Sequence, residues 1–105
     1  MISTKDRAKL RGLAQKLEPI VLVGKAGLTD EVLSSIDGVL SKREIVKIKL
    51  LQNCDLTTNE VMTEVCQKLS AEPVQQIGKV VVAYRFSTKK DVKHILWLHI
   101  FWLQI

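Results

Sequence analysis

Three stretches of the chain repeat apolar residues at the three- and four-residue spacing of an amphipathic helix. The first covers roughly residues 4–16, where Leu10, Leu13, Ala14 and Leu17 share one face. Each stretch begins just after a residue that favours the helix N-cap position: Ser3, Thr29 and Thr57. The pattern therefore predicts three helices, each with one buried face.

Four shorter apolar runs predict β-strands. They cover residues 20–23, 45–51, 73–77 and 80–86. The second run alternates, so Lys47 and Lys49 point away from its apolar face. Only Gly78 and Lys79 separate the last two runs, and a two-residue link beginning with glycine is typical of a β-hairpin.

The predicted order of elements is α-β-α-β-α-β-β, which is the pattern of an α/β fold. Alternating strands and helices imply parallel strand pairs, and the hairpin adds one antiparallel pair. We therefore expect a mixed four-stranded sheet packed with helices. The chain has 105 residues, which supports one modest core, and we expect one domain over residues 1–86 with a separate tail over residues 87–105.

Composition narrows the class of protein. Hydrophobic residues make up 47% of the chain, which excludes intrinsic disorder as its main state. The formal net charge of +5 permits an anionic partner such as nucleic acid or a membrane surface, without requiring one. Two cysteines make no disulfide framework and the N-terminus lacks the apolar stretch of a secretory signal, so we expect a cytoplasmic protein.

The segment between the first strand and the second helix contains a GxxG motif. The motif is Gly24-Lys25-Ala26-Gly27. Its glycines allow a sharp turn and a close approach to another chain. The N–H groups at the start of the following helix attract anions, and Lys25 adds a positive charge. These are the parts of a loop that clamps a nucleic-acid backbone. The motif also occurs by chance, and an ordinary strand-to-helix turn is the simpler alternative.

Several further basic residues are candidates for contacts with RNA phosphates, or else belong to an ordinary solvated surface. They are Lys42, Arg43, Lys47, Lys49, Lys79 and Arg85. The only aromatic residues before residue 90 are Tyr84 and Phe86, and both are candidates for the core. Bases are therefore not expected to stack on the sheet, and RNA binding would depend on phosphates, sugars and shape.

Catalytic chemistry has little support in the sequence. The only histidines, His94 and His99, lie in the predicted tail, and no metal-binding or nucleophile motif is present. Cys66 falls on the buried face of the third helix, whereas Cys54 falls in a loop where it could be exposed. We expect no metal, cofactor or small-molecule substrate.

Two blocks of sequence together resemble the CRM domain (chloroplast RNA splicing and ribosome maturation). They are LEPIVLVGKAGLT at residues 17–29 and QIGKVVVAYR at residues 76–85, within a resemblance that covers roughly residues 3–86. It implies a fold similar to the C-terminal domain of translation initiation factor 3, with a KH-like GxxG loop whose residues 24–27 contact RNA. The chain is similar to the bacterial stand-alone form, an RNA-binding protein associated with assembly of the large ribosomal subunit.

The chain departs from this family after Phe86. Nine of the eleven residues 95–105 are apolar, which is too short a run to cross a bilayer, since a spanning helix needs about 20 apolar residues. The tail could pack on the domain as an extra helix or strand, anchor a partner or a membrane surface, or be a reading-frame artefact without a selected role. A protein-interaction module that uses this tail to contact another protein or to self-associate is therefore the alternative function, and an enzyme is a distant third.

Overall fold

The computed structural model describes residues 2–89, 92 and 94–96, and it contains all seven predicted elements. Their predicted order is confirmed, and the bounds of the first helix and of the four strands differ from the predicted ones by at most two residues. The helices are α1 (Thr4–Ala14), α2 (Asp30–Arg43) and α3 (Thr58–Leu69), and the strands are β1 (Val21–Val23), β2 (Ile45–Leu50), β3 (Glu72–Ile77) and β4 (Val80–Tyr84).

The four strands form one mixed sheet in the order β1-β2-β4-β3. The first pair, β1 and β2, is parallel, as predicted, and the hairpin of β3 and β4 is antiparallel. The expected parallel pairing of β2 with β3 is wrong, because β4 lies between them and pairs antiparallel with both. Val81, Val82 and Ala83 of β4 are buried on both faces of the sheet, so β4 belongs in the interior. The more polar β3 contains a proline and suits an edge.

The sheet separates two hydrophobic clusters. The larger cluster joins the sheet to α2 and α3 through residues such as Ile36, Ile48 and Val61. The smaller cluster joins the opposite face of the sheet to α1, with Leu10 and Tyr84 at its centre. The fold is therefore a sheet with two helices on one face and one helix on the other.

Glu44 links the end of α2 to the chain beyond the last strand. It is fully buried and caps α2 in a left-handed conformation, with φ of 68°. Its carboxylate accepts hydrogen bonds from the backbone N–H groups of Ser87 at 2.7 Å and Ile95 at 2.9 Å, and Nδ1 of His94 lies 2.8 Å from it. Leu96, which follows Ile95 in the chain, is buried in the smaller cluster.

Through these contacts, part of the predicted tail packs against the domain. Residues 94–96 pack on the domain without forming a helix or strand, so the domain includes residues beyond the predicted boundary at 86. The alternatives that depend on the apolar residues 97–105 concern a segment outside the described residues.

Neither Tyr84 nor Phe86 offers a stacking surface on the sheet. Tyr84 is 1% exposed and belongs to the core, where burial raises the pKa of its phenol, and the carboxylates of Glu44 and Asp6 raise it further. Phe86 is half-buried and stacks on the His94 ring, with the ring centroids 4.3 Å apart. Among the described residues, the sheet therefore presents no aromatic ring to an incoming base.

Candidate nucleic-acid interface

The GxxG loop, residues 24–27, is a tight turn that directly continues strand β1. The N–H of Gly27 donates to the carbonyl of Gly24 at 3.0 Å, and the N–H of Thr29 donates to the carbonyl of Gly27 at 3.1 Å. Gly27 has φ of 73°, a conformation that L side chains rarely adopt, so the turn requires glycine at this position. The side chains of Lys25 and Ala26 at the tip are exposed.

The loop rests on the segment that follows β2. The N–H of Leu51 donates to the carbonyl of Val23 at 2.8 Å, just before the loop begins. A Cβ on Gly27 would lie 3.4 Å from Cδ1 of Leu56, so little space is left behind this residue. A Cβ on Gly24 would meet its neighbours at an ordinary contact distance of 3.6 Å, so this position has room for a Cβ.

Three of the predicted lysines lie at the same end of the sheet, which we call the loop end. Lys25 is in the loop itself, and Lys49 precedes the last residue of β2, which runs parallel to β1 and ends beside it. Lys79 lies in the turn between β3 and β4, where its carbonyl accepts from the N–H of Leu50 at 2.7 Å. All three side chains are exposed, so they form a positively charged group around the loop.

The start of α2 is acidic, unlike the rest of the loop end. Asp30 and Glu31 occupy its first turn, where their carboxylates stabilise the helix dipole. These exposed carboxylates also repel phosphate, which lowers the attraction of the helix N-terminus for an anion.

Within the described part of the chain, the backbone N–H groups of Lys25 and Ala26 at the tip of the loop have no hydrogen-bond partner. A phosphate group is therefore favoured over the tip of the loop and the sheet, away from α2.

Lys47 is engaged inside the domain. Its Nζ donates to the carbonyls of Ala14 and Leu17, each at 3.0 Å. These carbonyls lie at and just beyond the end of α1, where a cation also interacts favourably with the helix dipole. The side chain points away from the larger cluster, as the alternation predicted, and holds the end of α1 on the sheet.

Arg85 is also engaged inside the domain. Nη1 of its guanidinium donates to Oδ1 of Asp37 at 2.7 Å and to the carbonyl of Leu69 at 2.9 Å. Nη2 donates to Oγ of Ser41 at 2.9 Å and to the carbonyl of Asp37 at 3.1 Å. One side chain therefore joins α2, the end of α3 and the segment after β4. Sequence reasoning did not single out Asp37 or Ser41, although their four-residue spacing places them on one face of α2.

We expect Arg85→Ala to lower the free energy of unfolding by about 2–3 kcal/mol, because it removes charged hydrogen bonds from partly buried acceptors. The ion pair itself contributes little of this, since the Asp37 side chain is half exposed. Urea denaturation measures the loss. The slope of log affinity for RNA against log salt should stay unchanged. A slope that falls by about 1 with little loss of stability would instead place Arg85 on a phosphate.

The sequence profile of the CRS1/YhbY (CRM) domain matches residues 2–85 of the chain. The chain belongs to this family.

Two relatives and one solved structure show how closely this CRM domain matches other members. It is 36% identical over 95 residues to the probable RNA-binding protein YqeI of Bacillus subtilis, covering 90% of this chain and 97% of that protein. It is 34% identical over 92 residues to an RNA-binding protein of Haemophilus influenzae, covering 88% and 93%. The solution structure of SAV1595 from Staphylococcus aureus, a candidate RNA-binding protein, matches with a TM-score of 0.63 and 34% identity, covering 89% and 98%.

Lys42 and Arg43 lie far from the loop in this CRM domain. They occupy the last turn of α2, which starts near the loop and contains 14 residues. A helix of this length spans about 21 Å, so both side chains lie near the opposite end of the sheet, where β2 begins. Their part in RNA binding stays a prediction, and the structure does not bring them together with the loop.

The cysteines and acidic residues of the CRM domain provide no further site. Cys54 is buried, although its position in a loop suggested exposure, because its loop packs back on the larger cluster. Cys66 is half-buried, and burial raises the pKa of its thiol, with Glu72 adding to the effect. Among the described residues, no group of three or more histidine, cysteine or acidic side chains could hold a metal ion.

No helix in the described part of the chain is long and apolar enough to cross a membrane.

Proposed function

We propose that this protein binds ribosomal RNA, free or in pre-ribosomal large-subunit particles, through the GxxG loop during ribosome assembly. The observation that carries the proposal is that Lys25, Lys49 and Lys79 surround the loop at one end of a CRM domain. The relatives named above are described as RNA-binding proteins, which supports RNA as the partner. The ribosomal target comes from the resemblance to the bacterial stand-alone form.

The RNA backbone passes over the tip of the loop. One phosphate accepts hydrogen bonds from the N–H groups of Lys25 and Ala26, and the ammonium groups of Lys49 and Lys79 neutralise phosphates on either side. The carboxylates of Asp30 and Glu31 direct the strand away from α2 and toward the sheet. Binding releases counterions from the RNA, so its affinity falls as salt concentration rises. The proposal assigns the protein no reaction, cofactor or small-molecule substrate.

Gly24→Asp tests this proposal, with Gly24→Asn as its matched control. The two side chains have nearly the same shape and Gly24 has room for their Cβ, but only aspartate places a negative charge beside the loop tip. We expect Gly24→Asp to weaken binding to a structured fragment of large-subunit ribosomal RNA by roughly tenfold, the scale of a charge repulsion near a protein surface.

Fluorescence anisotropy at low and moderate salt measures both affinities, and circular dichroism confirms that both variants fold. Gly24→Asn should bind within about twofold of the parent, because it adds no charge. Equal affinity of the parent and Gly24→Asp would show that the loop does not contact RNA. Binding by the parent that does not change with salt would also contradict the proposed contacts with phosphate.

A further inference from the structure

Helix α1 leaves part of its face of the sheet uncovered, since Leu22 and Ile77 on that face are exposed. The strand registers align one row of side chains across the uncovered part: Leu22 pairs with Lys49, Lys49 with Val80, and Val80 with Ile77. Paired residues point to the same face, and Val80 packs beside the smaller cluster, so the row lies on the side of α1. Leu22 is 52% exposed and Ile77 is 62% exposed. The row therefore presents aliphatic side chains on both sides of a lysine, directly beside the GxxG loop.

A hollow of about 140 Å³ lies between this row and the end of α1. That volume is roughly ten times the minimum that holds one water molecule, so the hollow has room for a ring-sized group. Its apolar wall comes from Ala14, Ile77, Val80 and Val82.

Two residues with side-chain amides also line this hollow, Gln15 and Gln75. A β-bulge between Pro73 and Gln75 sets Gln75 opposite Val82. A β-bulge changes the direction in which a side chain points. Here it affects Gln75, whose amide can both donate and accept hydrogen bonds, beside the apolar wall of the hollow. Lys47, which also lines the hollow, donates to the carbonyls at the end of α1 and keeps that helix in place as a wall.

The charges around the hollow favour an anionic occupant. Lys49 stands in the row, and Lys25 and Lys79 flank it at the loop end. Among the described residues, no carboxylate belongs to the row or lines the hollow. A ligand that is negatively charged along one side and flat and apolar on the other matches this arrangement. An unpaired RNA nucleotide has both properties, whereas bases in a duplex are stacked inside the helix and cannot enter.

We infer that this hollow binds an unpaired base of the RNA strand whose phosphates lie at the loop end. The base packs on Ile77, Val80 and Val82, and the amides of Gln15 and Gln75 meet its polar edge. Because the contacts are mainly apolar, the hollow accepts several bases and selects unpaired over paired RNA. The inference rests on the proposed function and adds the class of RNA that the site prefers.

The double variant Gln75→Ala/Ile77→Thr tests the hollow. Threonine keeps the branched shape that suits a strand while it reduces the apolar wall, and alanine removes one amide. The matched control is Gln76→Ala, which also removes one amide from β3, since Gln76 pairs with Val81 of the larger cluster and so lies on the other face of the strand. Two RNA probes of equal length are compared: a hairpin with an unpaired loop and a continuous duplex.

We expect the parent to bind the hairpin more tightly than the duplex. The test variant should lose roughly fivefold or more in affinity for the hairpin, the scale of one base contact, and keep its affinity for the duplex. The slope of log affinity against log salt should not change, because no phosphate contact is removed. In NMR spectra, the methyl signals of Val80 and Val82 should show ring-current shifts with the hairpin and not with the duplex. The control should behave like the parent.

Equal binding of the hairpin by the parent and the test variant would overturn the inference while leaving the proposed function intact. A test variant that binds RNA normally but sediments as a smaller species would also overturn it, and would make this face a contact between two copies of the chain. If the parent binds neither probe, the proposed function itself fails.

Discussion

Glu44→Ala is expected to lower the free energy of unfolding by about 3–5 kcal/mol, the range for removing one partner from a buried charged cluster. The substitution deletes the acceptor for the N–H groups of Ser87 and Ile95 and the partner of the His94 ring. Each buried donor left without an acceptor costs about 1–3 kcal/mol. Since a domain of this size has a total stability of about 5–15 kcal/mol, the loss is a large fraction of the whole.

A change of this size should lower the melting temperature by about 15–30 °C. It should also release the segment that ends at Leu96, so the smaller hydrophobic cluster should become exposed. Urea denaturation and thermal melts followed by circular dichroism measure the first effect. Hydrogen exchange at the backbone amide of Ile95 measures the second.

Glu44→Gly separates the role of the carboxylate from the strain of the backbone. Glycine adopts the left-handed conformation of this residue without cost, so this variant should be about 1 kcal/mol more stable than Glu44→Ala. Both should remain well below the parent. If Glu44→Ala unfolds within 1 kcal/mol of the parent, the carboxylate does not hold the C-terminal segment in place.

The triple variant Lys25→Ala/Lys49→Ala/Lys79→Ala should weaken binding to ribosomal RNA by about a hundredfold at moderate salt. This estimate assigns roughly 1 kcal/mol to each lysine–phosphate contact. The slope of log affinity against log salt should fall by about 2–3, because each contact contributes close to one unit. All three side chains are exposed, so the stability of the fold should change little.

The control is Lys5→Ala/Lys68→Ala/Lys89→Ala, which removes the same charge from exposed residues that are not assigned to RNA binding. It should keep most of the affinity and most of the salt slope, because these side chains do not lie at the loop end. Equal losses of RNA affinity in the two triple variants would mean that the overall charge of the protein attracts RNA, without a defined binding surface. Fluorescence anisotropy over a series of salt concentrations distinguishes these results.

The sequence predicts the seven elements well because each has a local signal. Thr57 and Glu60, for example, form the capping box that starts α3, and the spacing of their side chains is visible in the sequence. The order of the strands has no local signal of this kind. Helix-strand alternation suggested that β2 pairs with β3, whereas the doubly buried β4 occupies the interior. The apolar run Val80–Ala83 shows in hindsight that β4 has two buried faces.

The candidate site was less predictable because the sequence does not show which acceptors surround a cation. Lys25, Lys47 and Arg85 look alike as basic residues in the chain. Only the structure shows that Lys47 binds carbonyls at the end of α1 and that Arg85 binds Asp37 and neighbouring groups, while Lys25 stays exposed. Glu44 had no signal either, since an acidic residue between a helix and a strand is usually at the surface.

The two edges of the sheet are poorly suited to pairing with a strand of another chain. Strand β1 has three residues, and β3 carries Pro73 and the bulge beside it, so neither edge offers a long regular row of N–H and carbonyl groups to another chain. The sheet can therefore keep an open apolar face for a ligand without growing into fibrils strand by strand. We therefore expect the two edges to limit strand-by-strand aggregation, so that the exposed apolar side chains on the face of the sheet add little to it.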